Sequence, residues 1–253
     1  MNLNKIIKDL DQLLDVTSFN DYSVNGLQVN SGNNEIKKVC LAVDSGLSVI
    51  KEACKQDSDL LIVHHGMFWG QKQNLINGII GEKVRTLINS GCSLYASHLP
   101  LDAHLEYGNN ICLLKEYKLD FISTFANFDG KDIGVLGDNS QNLNFNDFIN
   151  ISENFLASGP IYKYNFGDKE IKTVGIVSGS GSAAVTEAAE KNIDLLISGE
   201  PKQEVYHLAK ELKVNLLFIG HYCSETFGVK ALGSYLQPKY KIDTFFYDEP
   251  TNI

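Results

Sequence analysis

The 253-residue chain contains a single arginine, Arg85, so the rest of its fixed positive charge is lysine. One arginine cannot build a cluster of bidentate guanidinium forks around phosphate. Acidic residues outnumber basic ones by 31 to 22, a net charge of −9. That balance argues against non-specific binding to nucleic acid or anionic membrane, and leaves a local basic patch open. No apolar run approaches the roughly 18 residues of a membrane span. The opening MNLNKIIKDLDQLLDV lacks the long apolar stretch of a secretory signal. The five cysteines, Cys40, Cys54, Cys92, Cys112 and Cys223, form no C-x-x-C pair and are odd in number. Free thiols, mostly buried, in a reducing cytoplasm are the expectation.

What is present is an ordinary globular composition, 43% hydrophobic and 21% charged, in a chain long enough for one large core or two modest α/β lobes. Apolar spacing predicts a helix over 3–14, a strand over 37–44, a helix over 46–56 and a strand over 59–63 that ends in His64-His65-Gly66. A helix over 82–90 and a strand over 92–97 follow, the latter closing at His98. From about residue 126 the pattern restarts. Strands are predicted over 171–177, 194–198 and 214–219, with helices over 182–192 and 202–212. Alternation of this kind implies parallel sheets covered on both faces.

The two halves are related. Sliding 35–65 onto 170–200 without a gap gives 12 identities in 31 positions, among them Asp59-Leu60-Leu61-Ile62 on Asp194-Leu195-Leu196-Ile197. Shared α/β preferences do not produce so many, and an internal duplication does. At a second offset, 123, His98 meets His221 and Asp102 meets Glu225. Each half thus carries His-x-x-x-carboxylate after a strand. The shorter offset requires a longer connection in the first half, assigned to a loop over 66–81. The expected architecture is two similar, intertwined α/β lobes, 1–125 and 126–253, with a site in the crevice between them and a C-terminal segment that can return to the first lobe.

Open sheets bind ligands beyond the carboxyl ends of their strands. His64, His65, His98, Asp102, His221 and Glu225 all fall there. Adjacent side chains on a regular strand point to opposite faces, so His64 and His65 are expected to serve different metals of a pair, with Gly66 allowing a sharp departure. A carboxylate has two oxygens and can bridge, and two metals about 3.5–4 Å apart are the usual hydrolytic arrangement. Imidazole and carboxylate donors suit Zn, Fe, Mn, Co or Ni without choosing among them. Simpler roles compete at each position. Asp102 is either a ligand or a helix N-cap, and Glu225 a ligand or part of a solvated turn. His98 is best placed outside the ligand set, relaying protons. His104 is less persuasive, His207 within a helix is structural, and Cys223 is a poor ligand candidate. Gly179-Ser180-Gly181-Ser182-Ala183-Ala184, with Glu200 at the next strand end, approximates a dinucleotide fingerprint, although anion binding by helix-start amides fits it better. Phe68-Trp69 is either a lip that stacks a ring or an aromatic plug.

Taken together, these pieces resemble a known family. His64-His65-Gly66 with Phe68-Trp69, then Ser97-His98-Leu99-Pro100-Leu101-Asp102-Ala103-His104 with Gly108-Asn109-Asn110, then Gly220-His221, Glu225 and Gly228, look like the dinuclear-metal-centre proteins of the GTP cyclohydrolase I type 2 homologue family. The resemblance runs from near residue 1 to about 250. It implies two similar α/β lobes, a ring-shaped homohexamer built of dimers, and metal ligands at His64, His65, Asp102, His221 and Glu225. Some members carry a large domain between the halves, for which this chain is too short. The family name implies hydrolytic opening of the guanine ring of GTP.

The expected function is therefore a metal-dependent hydrolase using two divalent ions per chain, with His98 catalytic and a small-molecule substrate, nucleotides among the candidates. With Arg85 as the only arginine, the phosphates of GTP would have to be met by lysines or backbone amides. The rival is a non-catalytic metal-binding or regulatory scaffold protein.

Overall fold

Leu3, Ile6 and Leu10 recur at helical spacing and are fully buried, and Asn2 caps the helix they define, α1 (Leu3–Leu13). The structure, a computed structural model, describes residues 1–70, 75–155, 161–168 and 170–253. The chain follows with β1 (Gly26–Val29), β2 (Lys38–Asp44), α2 (Leu47–Lys55), β3 (Leu60–His65), α3 (Gly78–Ser90), β4 (Ser93–Ala96), α4 (Leu99–Ala103) and α5 (Asn109–Glu116). A hairpin comes next, β5 (Asp120–Phe128) and β6 (Lys131–Asp138), then α6 (Phe145–Phe155), β7 (Tyr162–Tyr164) and β8 (Thr173–Val177). The remainder is α7 (Val185–Glu190), β9 (Leu195–Ser198), α8 (Gln203–Leu212), β10 (Asn215–Phe218), α9 (His221–Ser224), α10 (Thr226–Tyr240) and β11 (Asp243–Phe246). No helix among the described residues is long and apolar enough to cross a membrane.

The fold is mixed α/β, in two compact units: Met1–Leu101 with Gly228–Glu249, and Asp102–Phe227 with Pro250–Ile253. These units cut the chain differently from the repeat. Position 125/126 lies inside β5, which the β5–β6 ladder holds within the second unit. Gly228–Glu249 belongs to the first unit because β11 pairs with β2.

The first unit has a five-stranded sheet in the order β1-β4-β3-β2-β11. Alternate strand residues Cys40, Ala42, Leu61, Val63, Leu94 and Ala96 form a buried face against Val49, Ile50 and Ala53 of α2 and Leu87 of α3. The second unit has six strands, β5-β6-β8-β9-β10-β7. Val174, Ile176, Leu195, Ile197 and Leu217 face one core with Phe148 and Ile111, while Val177, Leu196, Leu216 and Phe218 face another with Val185, Ala188, Val205 and Ala209. The period of two in these lists is the pleat of a sheet covered on both sides.

The duplication is visible in the ladders. β2–β3 pairs Val39 with Leu60, and β8–β9 pairs Val174 with Leu195, the same register 135 residues on. A buttress repeats with it. Asp59 Oδ2 accepts the Lys37 and Lys38 amides at 2.8 and 3.0 Å. Asp194 Oδ2 accepts the Lys172 and Thr173 amides, both at 2.9 Å. One register needs correction. Leu61 pairs with Leu94 and Leu196 with Leu216, so the third strands match at an offset of 122. The equivalence of His98 and His221 then requires one inserted residue. Gly220 stands there, at φ 90°, a conformation that favours glycine.

The sheets are not wholly parallel. β2, β3 and β4, and β8, β9 and β10, run parallel, but β1 and β7 close their sheets antiparallel and β5–β6–β8 is antiparallel throughout. The β5–β6 hairpin turns at Asp129-Gly130, both at positive φ, a sequence signal of the Asp-Gly type that the helix–strand alternation obscured. Helix α3 begins at Gly78, four residues before the predicted start at 82, and so takes up the end of the loop expected over 66–81, of which 71–74 lies outside the described residues. The helix predicted over 182–192 divides into a single 3-10 turn, Gly181–Ala184, and α7.

Candidate metal centre

In the first unit β3 stays regular through His65, and its two histidines are held from different sides. His64 is fully buried, with Nδ1 3.0 Å from the Ser97 carbonyl beyond β4. A carbonyl only accepts, so Nδ1 carries the proton and Nε2 is the basic nitrogen. His65 Nδ1 lies 2.8 Å from Asp44 Oδ1, its ladder partner on β2. His98 joins them, its Nδ1 2.8 Å from Asp21. Ring centroids are 4.6 Å apart for His64–His65, 5.1 Å for His64–His98 and 5.8 Å for His65–His98. Each of the three can offer a ring nitrogen within 4.8 Å of the others. Gly66 is required for a different reason than a sharp turn, since its φ is not positive. A Cβ there would strike the Gln28 amide and lie 2.7 Å from Ala96 Cβ. Gln28 Oε1 in turn accepts the Met67 amide at 2.7 Å.

Asp21 organises the region. Its buried carboxylate accepts from His98 Nδ1, the Leu99 amide at 3.0 Å, Asn25 Nδ2 at 2.9 Å and the Ser23 amide at 3.0 Å. Burial alone would raise its pKa; the hydrogen bonds, led by His98, outweigh burial and lower it. Trp69 is 41% exposed, donates Nε1–H to the Gly66 carbonyl at 2.9 Å, and sets its ring edgewise to His98 at 5.1 Å. Phe68 packs instead against the core of this unit, so the Phe68-Trp69 pair divides into a partly buried and an exposed member.

In the second unit Asp102 lies within α4 rather than at an N-cap, and is 6% exposed. Its Oδ1 accepts from Asn109 Nδ2 at 2.8 Å and Ser178 Oγ at 2.9 Å. Asn110 ties the same region to β8 by accepting the Ser178 amide at 2.7 Å. His221, at the first position of α9, has Nδ1 2.9 Å from Glu200 Oε2 and Nε2 3.2 Å from Glu225 Oε1. Burial would lower the His221 pKa, but the Glu225 and Glu200 carboxylates prevail and push it up to about 9. Glu225 is 3% exposed, which rules out a solvated turn.

The glycine-rich stretch serves this cluster. Gly179 adopts φ +56°, and a Cβ on it would fall on Glu225 Oε1 and lie 3.1 Å from His221 Nε2. Its carbonyl accepts the Gly199 and Glu200 amides at 3.0 and 3.1 Å. Ser180 Oγ donates to Glu200. Glu200, the acid a dinucleotide ribose would need, is thus spent on positioning His221. His104 Nδ1 accepts the Glu106 and Tyr107 amides, and His207 lies within α8, consistent with structural roles for both. Sequence reasoning missed Asp21, Asp44 and Ser178, and gave Asn109 no role beyond its place in the Gly108-Asn109-Asn110 motif. The first three have no motif of their own, and each is distant in sequence from the side chain it contacts.

Both sheets therefore bring imidazoles, each oriented through Nδ1 by an oxygen acceptor, together with buried carboxylates at the carboxyl ends of their strands. A mixed α/β protein with this donor set is a candidate metal-binding protein. The family model of Duf34/NIF3 (NGG1p interacting factor 3) matches residues 1–253, and the chain belongs to that family. It is 39% identical over 253 residues, all of both chains, to the GTP cyclohydrolase 1 type 2 homolog of Archaeoglobus fulgidus, which bears out the resemblance read from the motifs. The structure of TTHA1606 from Thermus thermophilus is similar with TM-score 0.89 and 35% identity, covering 100% of each chain. Protein ybgI, described as of unknown function, is similar with TM-score 0.92 and 26% identity, also at 100% coverage of both.

Proposed function

We propose that the protein is a metal-dependent hydrolase in which His64, His65, Asp102, His221 and Glu225 hold two divalent ions. The observation that carries this is the shared anchoring of His64, His65 and His221 through Nδ1, to the Ser97 carbonyl, Asp44 and Glu200. Such an outer partner fixes the tautomer, directs Nε2 as the donor and raises its basicity. The donor set fits divalent ions of the Zn, Fe, Mn, Co or Ni type, and the Gly179 backbone leaves clear the space that a side chain would take from Glu225 and His221. Ions bound there would supply Lewis acidity and water of lowered pKa.

The chain's own residues supply the rest. Asn109 and Ser178 hold Asp102 in one orientation. His98, with Nδ1 directed at Asp21, keeps Nε2 to take a proton from attacking water and return it to a leaving nitrogen. Trp69 offers an exposed ring beside His98 on which a planar substrate can rest. A purine attacked at C8 is the substrate class that the relatives' name suggests. The assembly proposed with this function is a homohexamer of the 28.0 kDa chain, which light scattering would read directly.

Elemental analysis of purified protein tests the centre. About two divalent ions per chain are expected, with loss in His65→Ala and retention in His207→Ala. Metal-loaded protein is then assayed against GTP and other purine nucleotides for ring opening. Full metal content in a variant lacking all five ligands would refute the ligand set. Tight metal binding without turnover of nucleotides, cyclic amides or phosphoesters would favour a scaffold over an enzyme.

A further inference from the structure

His98 is anchored in the same way as the proposed ligands. Its Nδ1 lies 2.8 Å from Asp21, as that of His64 lies 3.0 Å from the Ser97 carbonyl and that of His65 2.8 Å from Asp44. All three histidines and all three acceptors belong to the first unit. Neighbouring side chains on a regular strand diverge, yet the His64 and His65 rings lie 4.6 Å apart. The anchors account for this, since they hold the two β3 rings from opposite neighbours, Asp44 on β2 and Ser97 beyond β4. His98 closes the group, with its ring 5.1 Å from His64 and 5.8 Å from His65. One ligand atom from each residue falls within 4.8 Å of the others. Nitrogens sharing an ion at about 2.0–2.1 Å stand roughly 3–4 Å apart, so a closure on the order of 1 Å completes a site. His64 is fully buried and fixes one corner, while the His65 and His98 side chains are each 18% exposed and have room to adjust.

We propose that the first unit by itself takes up one divalent ion on His64, His65 and His98, a loading site from which the ion passes to the complete centre. The proposal rests on the metal-binding reading of His64 and His65 given above, and adds His98 as a third donor. Three imidazoles favour borderline ions such as Zn, Cu, Ni or Co over Mg or Ca. Asp21 and Asp44 stand one hydrogen bond behind, where a carboxylate raises imidazole basicity. Every donor comes from one compact unit, so uptake does not wait on Asp102, His221 or Glu225. Donors without charge hold an ion less firmly than a set that includes carboxylates, which suits a site that gives its ion up. An imidazole nitrogen engaged with an ion cannot accept a proton. His98 is therefore a ligand during loading and a base only in the fully loaded centre. Trp69 stands beside the group, its ring 5.1 Å from His98 and 5.8 Å from His65.

Cu(II) serves as the probe. The full chain, stripped of metal with a chelator, is mixed with half an equivalent, and samples frozen at increasing times are read by pulsed EPR, which counts the imidazoles coupled to the ion. Three are expected at the earliest times. The five-residue centre, with His64 and His65 on different ions, puts no more than two on either, so the count should then fall. His98→Ala should never show three. In the triple variant Asp102→Asn, His221→Ala, Glu225→Gln the three-imidazole species should persist at equilibrium and quench Trp69, the one tryptophan of the chain. Adding His98→Ala to that variant should weaken Cu(II) binding by at least the roughly 10–100-fold that loss of an outer partner costs. Two or fewer imidazoles at every time in the wild type, or three in His98→Ala, would overturn the proposal without any need for the triple variant to fold. Two or fewer throughout, with two ions at saturation, would leave the five-residue reading intact. Three that persist in the equilibrated wild type would uphold the three-histidine site and count against that reading.

Discussion

Replacing Gly179 by alanine asks whether the backbone itself makes room for the proposed metal donors. Two effects are separable there. At φ +56° a β-carbon carries left-handed strain of about 1–2 kcal/mol. It also falls on Glu225 Oε1 and lies 3.1 Å from His221 Nε2, so the carboxylate must leave its place. Gly130 provides the control, since it sits at φ +89° and a β-carbon placed on it would meet nothing within 4 Å. Gly130→Ala should lose about 1–2 kcal/mol and keep its metal. At about 2–4 °C per kcal/mol for a chain of this size, Tm falls by roughly 2–8 °C. Gly179→Ala should lose at least as much and, in addition, most of its bound metal by elemental analysis. Equal metal content in the two variants at similar Tm would refute the link between this glycine and the centre.

Other perturbations follow from the same contacts. Asp21→Ala removes the acceptor of four hydrogen bonds and should cost about 2–4 kcal/mol in urea unfolding; a loss below about 0.5 kcal/mol would contradict its organising role. Asp194→Ala strips two strand-start amides of their acceptor and should cost about 1–3 kcal/mol, with Asp59→Ala matching it if the repeated buttress is equivalent in both units. The Asp9 carboxylate faces Lys239 and Tyr235. Burial would raise its pKa, but those hydrogen bonds prevail and lower it. A folded pKa below the unfolded one gives stability that is present above the unfolded value and lost as pH falls through the folded value. The wild type should therefore lose slightly more stability than Asp9→Asn between about pH 6 and about pH 3, by less than about 1 kcal/mol for so exposed a pair. Equal losses would remove the contribution.

Much of the chain was legible before its structure. The helix of Leu3, Ile6 and Leu10, the β2–α2–β3 run and its copy from residue 171 rest on periodicity, a local property. The duplication was legible because 12 positions still coincide. Non-local features were not. The antiparallel β5–β6 hairpin interrupts an alternation that predicts parallel strands, and β11 completes a sheet begun some 200 residues earlier. The one-residue slip between β4 and β10 is invisible without ladder partners, because an ungapped match can absorb it.

At the site, sequence alone singled out the candidate side chains: a histidine pair at a strand end, and His-x-x-x-carboxylate in each half. Such residues are rare enough at those positions to be read from spacing. Tertiary structure decided how each is held. Ser97, Asp44 and Glu200 orient the imidazoles, Ser178 and Asn109 orient Asp102, and Gly179 leaves Glu225 its space. Apart from Asn109, on α5, these partners lie on or just beyond strands of the two sheets. Their identity depends on register, which a linear sequence does not carry.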